Sequence, residues 1–330
     1  MEEKILEVKN LITQYYTGKK MTTVVNNVSF DLFSGRSLAI VGESGSGKSA
    51  MALSLMRLIE PPVGTITAQG IFLEGKDILQ LSLKEIQEIR GNRISMIFQE
   101  PMTALNPVFT IGEQIMETIQ LHQQVPPKEA KIRCIALLTL VGISAPHQRM
   151  LEYPHQISGG MRQRVMIAIA LACGPSVLIA DEPTTALDVT TQAQIMDLIQ
   201  RLQVEKNMSI ILITHDLGIV AEVCDEVAVM YSGSIVEKSA VETIFNAPLH
   251  PYTQALLDAI PPLPGSSPVY RLRTIDGVVP PLSDLPIGCS FQDRCPNVQD
   301  RCRAHRPRLQ ETNAGHSVAC FYPLQDRTKL

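Results

Sequence analysis

The sequence predicts an α/β protein with a mostly parallel sheet and a small, loop-rich C-terminal lobe. Apolar runs such as VLIADE (177–182) and SIILITHD (209–216) have the composition of buried parallel strands. Stretches with apolar residues three and four positions apart predict helices between such runs, and strand–helix alternation is typical of a parallel α/β sheet. Eleven of the 22 prolines fall within residues 251–330, which indicates a separate lobe.

Composition excludes several classes of protein. Of the 330 residues, 45% are hydrophobic and 19% charged, and the net charge is −4, which argues against disorder and against a generally basic nucleic-acid binder. The longest apolar stretch, 165–180, is interrupted by Gly174 and Pro175 and is shorter than the roughly 20 residues of a membrane span. We therefore expect a buried helix and strand there. The acidic N-terminus lacks a signal-peptide core, so we expect a chain that stays in the cytoplasm.

Each element of the predicted fold has its own signal along the chain. Residues 1–40 alternate apolar and polar positions about a turn near Gly18, which predicts antiparallel strands. Residues 103–156 are predicted to be helical, with Pro126, Pro127 and Pro146 as interruptions. The other predicted elements are a strand ending at LAIV and the helix after it, strands within 64–78 and at 94–100, a helix at 158–173, a strand at 177–182, the helix TTQAQIMDLIQRLQ and a strand at 209–216.

A phosphate-binding loop follows the strand LAIV. Residues 42–49 read GESGSGKS, which matches G-x-x-x-x-G-K-[ST], and an apolar helix follows, as this motif requires. Its glycines allow consecutive N–H groups to face one anionic phosphate chain. We expect Lys48 to reach the β- and γ-phosphates and Ser49 to ligate Mg²⁺. The predicted phosphate-contacting residues are Gly42, Ser44, Gly45, Ser46, Gly47, Lys48 and Ser49.

Two acids and a second anion-binding helix end complete the predicted chemistry. Asp181 ends a buried strand and is expected to hold the metal, and Glu182 follows it as a candidate general base. Ser158, Gly159 and Gly160 begin a helix about 20 residues earlier, where exposed N–H groups favour an anion. Since the loop at 42–49 already supplies a phosphate site, we expect this second site to face the nucleotide of another subunit.

These motifs, in this order, make residues 4–245 resemble the ATPase subunit of an ABC transporter. Ile157 and Met161 depart from the family's LSGGQ signature, but Ser158 and Gly160 are retained. The resemblances are GESGSGKS to Walker A, Gln99 to the Q-loop, ISGGMRQR to the signature, VLIADE to Walker B, Ala186-Leu187-Asp188 to the D-loop, His215 to the switch histidine and Tyr15, with Tyr16 as the rival, to the aromatic residue that stacks on adenine.

The resemblance implies a P-loop NTPase core with a mixed sheet over residues 1–250, including a helical subdomain at about 100–160. It also implies ATP hydrolysis in a head-to-tail dimer, in which Walker A of one subunit and the signature of the other hold each ATP. Gln99 would contact the γ-phosphate and Mg²⁺, and His215 would position the attacking water with Glu182. The residues expected to contact nucleotide from the facing subunit are Ser158, Gly159, Gly160 and Asp188.

Three segments narrow the resemblance to dipeptide, oligopeptide and nickel importers, and within them to the longer D-type subunit. They are EPMTALNP (100–107), HPYTQALLDAIP (250–261) and the cysteine-containing tail of the extension 251–330. The resemblance implies two permease subunits, a second homologous ATPase and an extracytoplasmic solute-binding protein as partners, and no nucleic acid. It places the chain peripherally on the cytoplasmic face of the membrane. The alternative is a soluble ABC ATPase that acts on nucleic acid or ribosomes.

The last four cysteines form a cluster in the sequence. They are spaced C-x5-C-x6-C-x17-C, which fits neither common zinc motifs nor simple ferredoxin motifs. The residues alone leave a metal site and unpaired thiols open, whereas the family resemblance implies a 4Fe-4S cluster. Zn²⁺ is the alternative, with His305 or His316 as an added ligand. The cysteines of the cluster are Cys289, Cys295, Cys302 and Cys320; Cys134, Cys173 and Cys224 are expected to be core residues without a function.

Overall fold

The computed structural model describes residues 3–17, 20–185, 187–260, 274–313 and 315–325. The predicted turn near Gly18 and Ala186 of the predicted D-loop lie outside them. The strands are β1 (Lys4–Thr17), β2 (Lys20–Phe33), β3 (Ser37–Val41), β4 (Gly64–Thr67), β5 (Gly70–Leu73), β6 (Lys76–Asp77), β7 (Ile94–Ile97), β8 (Val177–Asp181), β9 (Ser209–Thr214), β10 (Glu226–Tyr231), β11 (Ser234–Ala240), β12 (Gln310–Asn313) and β13 (His316–Val318).

Helices occupy most of the middle of the chain, with a short 3₁₀ turn at Pro154–Gln156. In the part of the chain that the structure describes, no helix is both long enough and apolar enough to cross a membrane. The helices are α1 (Lys48–Leu55), α2 (Leu83–Ile89), α3 (Pro101–Ala104), α4 (Ile111–Gln123), α5 (Pro127–Leu140), α6 (Pro146–Arg149), α7 (Gly159–Ala170), α8 (Val189–Lys206), α9 (Leu217–Val223), α10 (Val241–Asn246), α11 (Pro251–Asp258) and α12 (Asp300–Ala304).

The chain forms two compact units that alternate along the sequence. The first consists mainly of residues 72–212. Within it, the fully buried strands β7 and β8 run parallel, from Ile94 opposite Val177 to Ile97 opposite Ala180. Helices α4, α5 and α7 pack on one another. Ile115, Ile119 and Cys134 are fully buried on these helices, so this segment has a helical core of its own, as the apolar spacing predicts.

The second unit consists of residues 7–31, 37–71 and 213–330. Strands β2 and β4 both pair with β1. A mixed sheet runs in the order β12, β13, β11, β10 and β3, in which β3 and β10 are parallel and the other pairs are antiparallel. Strand β9 carries the chain into this unit. The glycine-rich loop begins directly after β3, so a buried strand sets the position of the loop.

The predicted buried strands and the helix at 158–173 are confirmed, with ends that differ by a few residues. The C-terminal region is joined to the sheet of the second unit. Strand β13 pairs with β11, with Val318 opposite Glu237. Phe291 is also buried in the same apolar cluster as Tyr231 and Tyr252. The tail therefore continues the second unit, because sheet pairing and aromatic packing join segments that are distant in sequence.

Candidate nucleotide site

The loop after β3 has a backbone that requires glycine. Gly42 and Gly47 have φ values of 153° and 101°. A Cβ at Gly42 would lie 2.2 Å from the carbonyl oxygen of Met230, and one at Gly47 would lie 2.4 Å from that of Val24. Neither position can accept a side chain without movement of the backbone. The two glycines thus fix the path of the loop against its neighbouring strands.

Lys48 is held inside this loop. Its side chain is buried, and Nζ donates hydrogen bonds to the carbonyl oxygens of Gly42 at 2.8 Å and Glu43 at 3.0 Å. Within the loop, Ser46 is buried, while Ser44 and Gly45 are exposed. Ser49 follows Lys48 in the first turn of α1 and is half-buried. The loop therefore holds the ammonium group of Lys48 against the carbonyl oxygens of Gly42 and Glu43.

His215 shares a cleft with the glycine-rich loop. It is exposed at the end of β9, and a cleft of about 410 Å³ is lined by His215, Gly42 and Glu43. The next residue, Asp216, caps α9 by accepting hydrogen bonds from the backbone N–H groups of Gly218 and Ile219. The structure therefore brings the predicted switch histidine and the predicted phosphate loop to one cleft.

The predicted catalytic acids lie at the end of β8 in the first unit. Asp181 is buried at the last position of the strand. Glu182 has φ 46°, a left-handed conformation that is uncommon for a residue with a side chain. The Nε2 of Gln99 donates to Oε2 of Glu182 at 3.1 Å, and the hydroxyl of Thr185 donates to the same oxygen at 2.9 Å. Two donors on one oxygen fix the orientation of this carboxylate.

The predicted signature residues lie at an exposed helix start. Ser158 is the N-cap of α7 and accepts from the backbone N–H of Met161 at 3.4 Å. Ser158 and Gly159 are exposed, and Gly160 is half-buried, 3.1 Å at its Cβ position from the methyl of Thr191. The start of α7 is therefore accessible to solvent, and a helix N-terminus favours an anion.

Asp188 also acts as a helix cap. Its Oδ1 accepts from the backbone N–H of Thr191 at 2.9 Å and its Oδ2 from the hydroxyl at 2.8 Å. These bonds, the backbone bond first, hold the pKa of the Asp188 carboxyl below its usual range. Asp188 is exposed at the start of α8. A contact of Asp188 with nucleotide remains a prediction.

The two candidate adenine-stacking residues differ in exposure. Tyr15 is half-buried, and burial raises the pKa of its phenol. Its ring lies 3.1 Å from the Cβ position of Gly64, its partner in β4. Tyr16 is exposed on the opposite face of the strand. The choice of Tyr15 over Tyr16 therefore remains a prediction, because the packing of Tyr15 against β4 leaves only part of its ring open.

Sequence reasoning missed Tyr252 as a neighbour of the site. Its hydroxyl accepts a hydrogen bond from the backbone N–H of Glu43 at 2.9 Å, although 209 residues separate the two. Tyr252 is fully buried in α11, where its ring packs edge-on against Tyr231. Tyr252 belongs to the segment HPYTQALLDAIP, which indicates the family but does not indicate a contact between this residue and the phosphate loop. Tyr252 thus stabilises the phosphate loop through a hydrogen bond to its backbone.

The four tail cysteines converge in the second unit. Cys289, Cys295, Cys302 and Cys320 all line one cavity of about 10 Å³. This volume is about that of a site for one water molecule. Burial raises the pKa of the Cys320 thiol to about 11, and also raises the pKa of Cys289 and Cys295.

The described side chains of these cysteines are not arranged as a set of metal ligands. Among the described residues, no group of three or more His, Cys, Asp or Glu side chains is arranged to hold a metal ion. The two histidines that are predicted as additional zinc ligands are in other environments. His305 is exposed, and the Nε2 of His316 pairs with Oε1 of buried Glu237 at 2.8 Å. The bond to Glu237 argues against His316 as a zinc ligand.

Family models match the chain in two places. The ABC transporter model matches residues 25–185, which include the loop at 42–49, Gln99, the signature and Walker B segments. The model of the oligopeptide/dipeptide transporter C-terminal region matches residues 236–302, which include Tyr252 and three of the four tail cysteines. Both matches fall on segments that the sequence motifs single out.

Similar proteins and structures agree with these family models. The oligopeptide transport ATP-binding protein AppD of Bacillus subtilis is 50% identical, over 96% of each chain. The dipeptide transport ATP-binding protein DppD of Escherichia coli is 47% identical, over 98% of each chain. The dimeric ATP-binding cassette MJ0796, bound to ADP and Pi, is 27% identical with a TM-score of 0.64, and the match covers 72% of this chain and 98% of that one. The chain therefore belongs to the ABC transporter family, among the oligopeptide and dipeptide transport ATP-binding proteins.

Proposed function

We propose that this chain is the ATP-binding subunit of an ABC importer for peptides and that it hydrolyses ATP to drive uptake. The observation that carries the proposal is the glycine-built loop after β3, with Lys48 inside it and His215 at the same cleft. The relatives named above are ATP-binding proteins of oligopeptide and dipeptide transport. They support transport and lend no support to the alternative of action on nucleic acid or ribosomes.

The residues of the chain have distinct roles in hydrolysis. The N–H groups of the loop and Lys48 bind the β- and γ-phosphates of ATP. Ser49, Asp181 and Gln99 would hold Mg²⁺, and buried Asp181 supplies the carboxylate that this cation prefers. When bound, Mg²⁺ neutralises charge on the phosphates. Glu182 accepts a proton from the attacking water, and the bond from Gln99 keeps its carboxylate oriented.

The remaining predicted contacts require a second subunit. The exposed N-terminus of α7 at Ser158, Gly159 and Gly160 is suited to the γ-phosphate of an ATP held by the facing subunit. Asp188 would lie near the same interface, and Tyr15 would stack on adenine in its own subunit. The facing subunit in this proposal is a homologous ATPase, so the dimer is a heterodimer.

The partners in the membrane follow from the family. As an ATP-binding transport protein, the chain works with membrane permease subunits. The finer proposal is two permeases and an extracytoplasmic solute-binding protein, with this chain bound peripherally at the cytoplasmic face of the membrane. The segment EPMTALNP, which includes α3, is the proposed contact with a permease.

We also propose that the four tail cysteines hold a 4Fe-4S cluster, with Zn²⁺ as the alternative. The support is their convergence on one cavity and the chemistry of four thiols. Burial raises the pKa of these thiols because it disfavours the charged thiolate, and bonds from the thiolates to a metal would offset this cost.

The nucleotide site is tested by Lys48→Ala in the transporter reconstituted with its permeases and partner ATPase. Loss of the ammonium group removes the main charge on the β- and γ-phosphates, so we expect ATP-dependent peptide uptake to fall at least 100-fold. Lys84→Ala, on exposed α2, is the matched control. Wild-type uptake by Lys48→Ala would refute the assignment.

The metal centre is tested by Cys295→Ser in the chain purified without oxygen. If the cluster is present, the wild-type chain contains about four iron atoms and absorbs near 400 nm, and the variant loses both. Cys134→Ser, in the helical core, keeps the absorption. A colourless wild-type chain with one equivalent of zinc supports the alternative, and one without metal removes the centre from the proposal.

A further inference from the structure

Arg294 connects the cysteine-containing tail with the second residue of the phosphate loop. It lies next to Cys295 in the sequence. Its Nη1 donates to Oε2 of Glu43 at 2.7 Å and its Nη2 to Oε1 at 3.0 Å. This bidentate pairing of a planar guanidinium with a carboxylate requires a specific geometry of the two groups. The two residues are 251 positions apart, so only the folded chain brings them together.

The site around Arg294 is built to hold one orientation of the side chain. The side chain of Arg294 is 4% exposed. Its Nε donates to the carbonyl oxygen of Asp276 at 3.0 Å, and its guanidinium carbon lies 5.8 Å from the ring centroid of Tyr231 and 5.9 Å from that of Phe291. The guanidinium is therefore fixed before any ligand binds.

The partner of Arg294 occupies a sensitive position. The backbone carbonyl oxygen of Glu43 accepts a hydrogen bond from Lys48, and the backbone N–H of Glu43 donates one to the hydroxyl of Tyr252. Glu43 also lines the cleft that contains His215. A carboxylate in this loop repels the anionic phosphates that the loop is proposed to bind. Arg294 supplies the opposite charge. Its loss would leave a partly buried negative charge beside the phosphate site.

We propose that Arg294 is a positioning residue of the nucleotide site, which neutralises Glu43 and holds the phosphate loop in its binding shape. The proposal rests on the proposed function, since it assumes that this loop binds ATP. It gives the C-terminal region a role in nucleotide affinity.

The test is a titration of the full chain with the fluorescent nucleotide mant-ATP and Mg²⁺. We expect Arg294→Gln to raise the Kd about tenfold or more, because Glu43 then faces the phosphates uncompensated. The double variant Arg294→Gln/Glu43→Gln should bind at least threefold more tightly than Arg294→Gln, because the repelling carboxylate is gone. The defect of the single variant should shrink at 0.5 M salt. Arg303→Gln, on the exposed face of α12, is the matched control and should bind as the wild type does.

The outcomes separate this proposal from the function on which it rests. Wild-type affinity in Arg294→Gln, or a double variant no tighter than the single one, overturns the charge-compensation role. If Arg294→Gln does not fold, as judged by thermal unfolding, Arg294→Lys takes its place. It keeps the charge but loses the bidentate pairing, so we expect a rise in Kd of less than about tenfold, and a rise of tenfold or more counts against charge compensation. A wild-type chain that does not bind mant-ATP at all refutes the proposed function instead.

Discussion

At the scale of the residue, Glu182 shows how the structure prepares a catalytic group. Its backbone is in the left-handed region, and the side chains of Gln99 and Thr185 both donate to the same carboxylate oxygen. Strained conformations of this kind persist where neighbouring contacts hold them and are common at functional sites. Sequence position identifies Glu182 as a candidate, while the hydrogen bonds show how it is oriented.

Glu182→Gln removes the proposed proton acceptor but is expected to keep the geometry of the site. An amide oxygen can take the place of Oε2 and keep both hydrogen bonds, so the site retains its geometry. We expect kcat for ATP hydrolysis to fall by about 10²- to 10⁴-fold, with the Kd for ATP changed less than about threefold. Steady-state phosphate release and mant-ATP titration measure the two. Glu205→Gln, on exposed α8, is the control, and unchanged turnover in Glu182→Gln would exclude it as the base.

At the scale of the element, buried Glu237 on β11 joins three segments of the second unit. Its Oε1 accepts from the backbone N–H of Leu249 at 2.6 Å and faces the Nε2 of His316 at 2.8 Å, and its Oε2 accepts from the N–H of His250 at 2.9 Å. One carboxylate thereby fixes the start of α11, which carries Tyr252, and strand β13 against β11. Nothing in the local sequence of β11 marks this position as different from its neighbours.

Glu237→Gln should therefore destabilise the chain although it changes few atoms. Both oxygens accept backbone N–H groups, so the NH₂ of glutamine must face a donor in either orientation. We expect a loss of about 1–3 kcal/mol in the free energy of unfolding, measured by urea denaturation. Glu226→Gln, at the partly exposed start of β10, should cost less than about 0.5 kcal/mol. Equal stability of the two variants would contradict the proposed role of Glu237.

At the scale of the whole molecule, the predicted phosphate loop and the predicted signature helix belong to different compact units. The loop with Lys48 belongs to the second unit, and the start of α7 at Ser158 belongs to the first. A helix N-terminus open to solvent is available to another subunit, and a head-to-tail pair uses two different surfaces of each chain. The similar cassette MJ0796 is described as dimeric and bound to ADP and Pi.

Ser158→Arg tests the subunit interface in the reconstituted transporter. The bulky side chain would cover the N–H groups of α7, while the loss of the N-cap costs only about 1 kcal/mol of helix stability. We expect ATP hydrolysis to fall at least tenfold, with mant-ATP binding to the isolated chain retained. Val204→Arg adds the same charge to an exposed position of α8 and should leave hydrolysis unchanged. Normal hydrolysis in Ser158→Arg would contradict the head-to-tail arrangement.

The sequence by itself determined the family, the order of buried strands and helices, and the residue types of the nucleotide site. It did so because a phosphate loop needs glycines and a lysine at fixed spacing, and because burial imposes an apolar pattern on strands and helices. Tertiary structure alone decided that the tail joins the sheet through β13, that Arg294 pairs with Glu43, and that Tyr252 bonds the phosphate loop. These contacts join residues up to 251 positions apart. Local pattern carries no information about such pairs, because side-chain hydrogen bonds and ion pairs depend on geometry that only the folded chain creates.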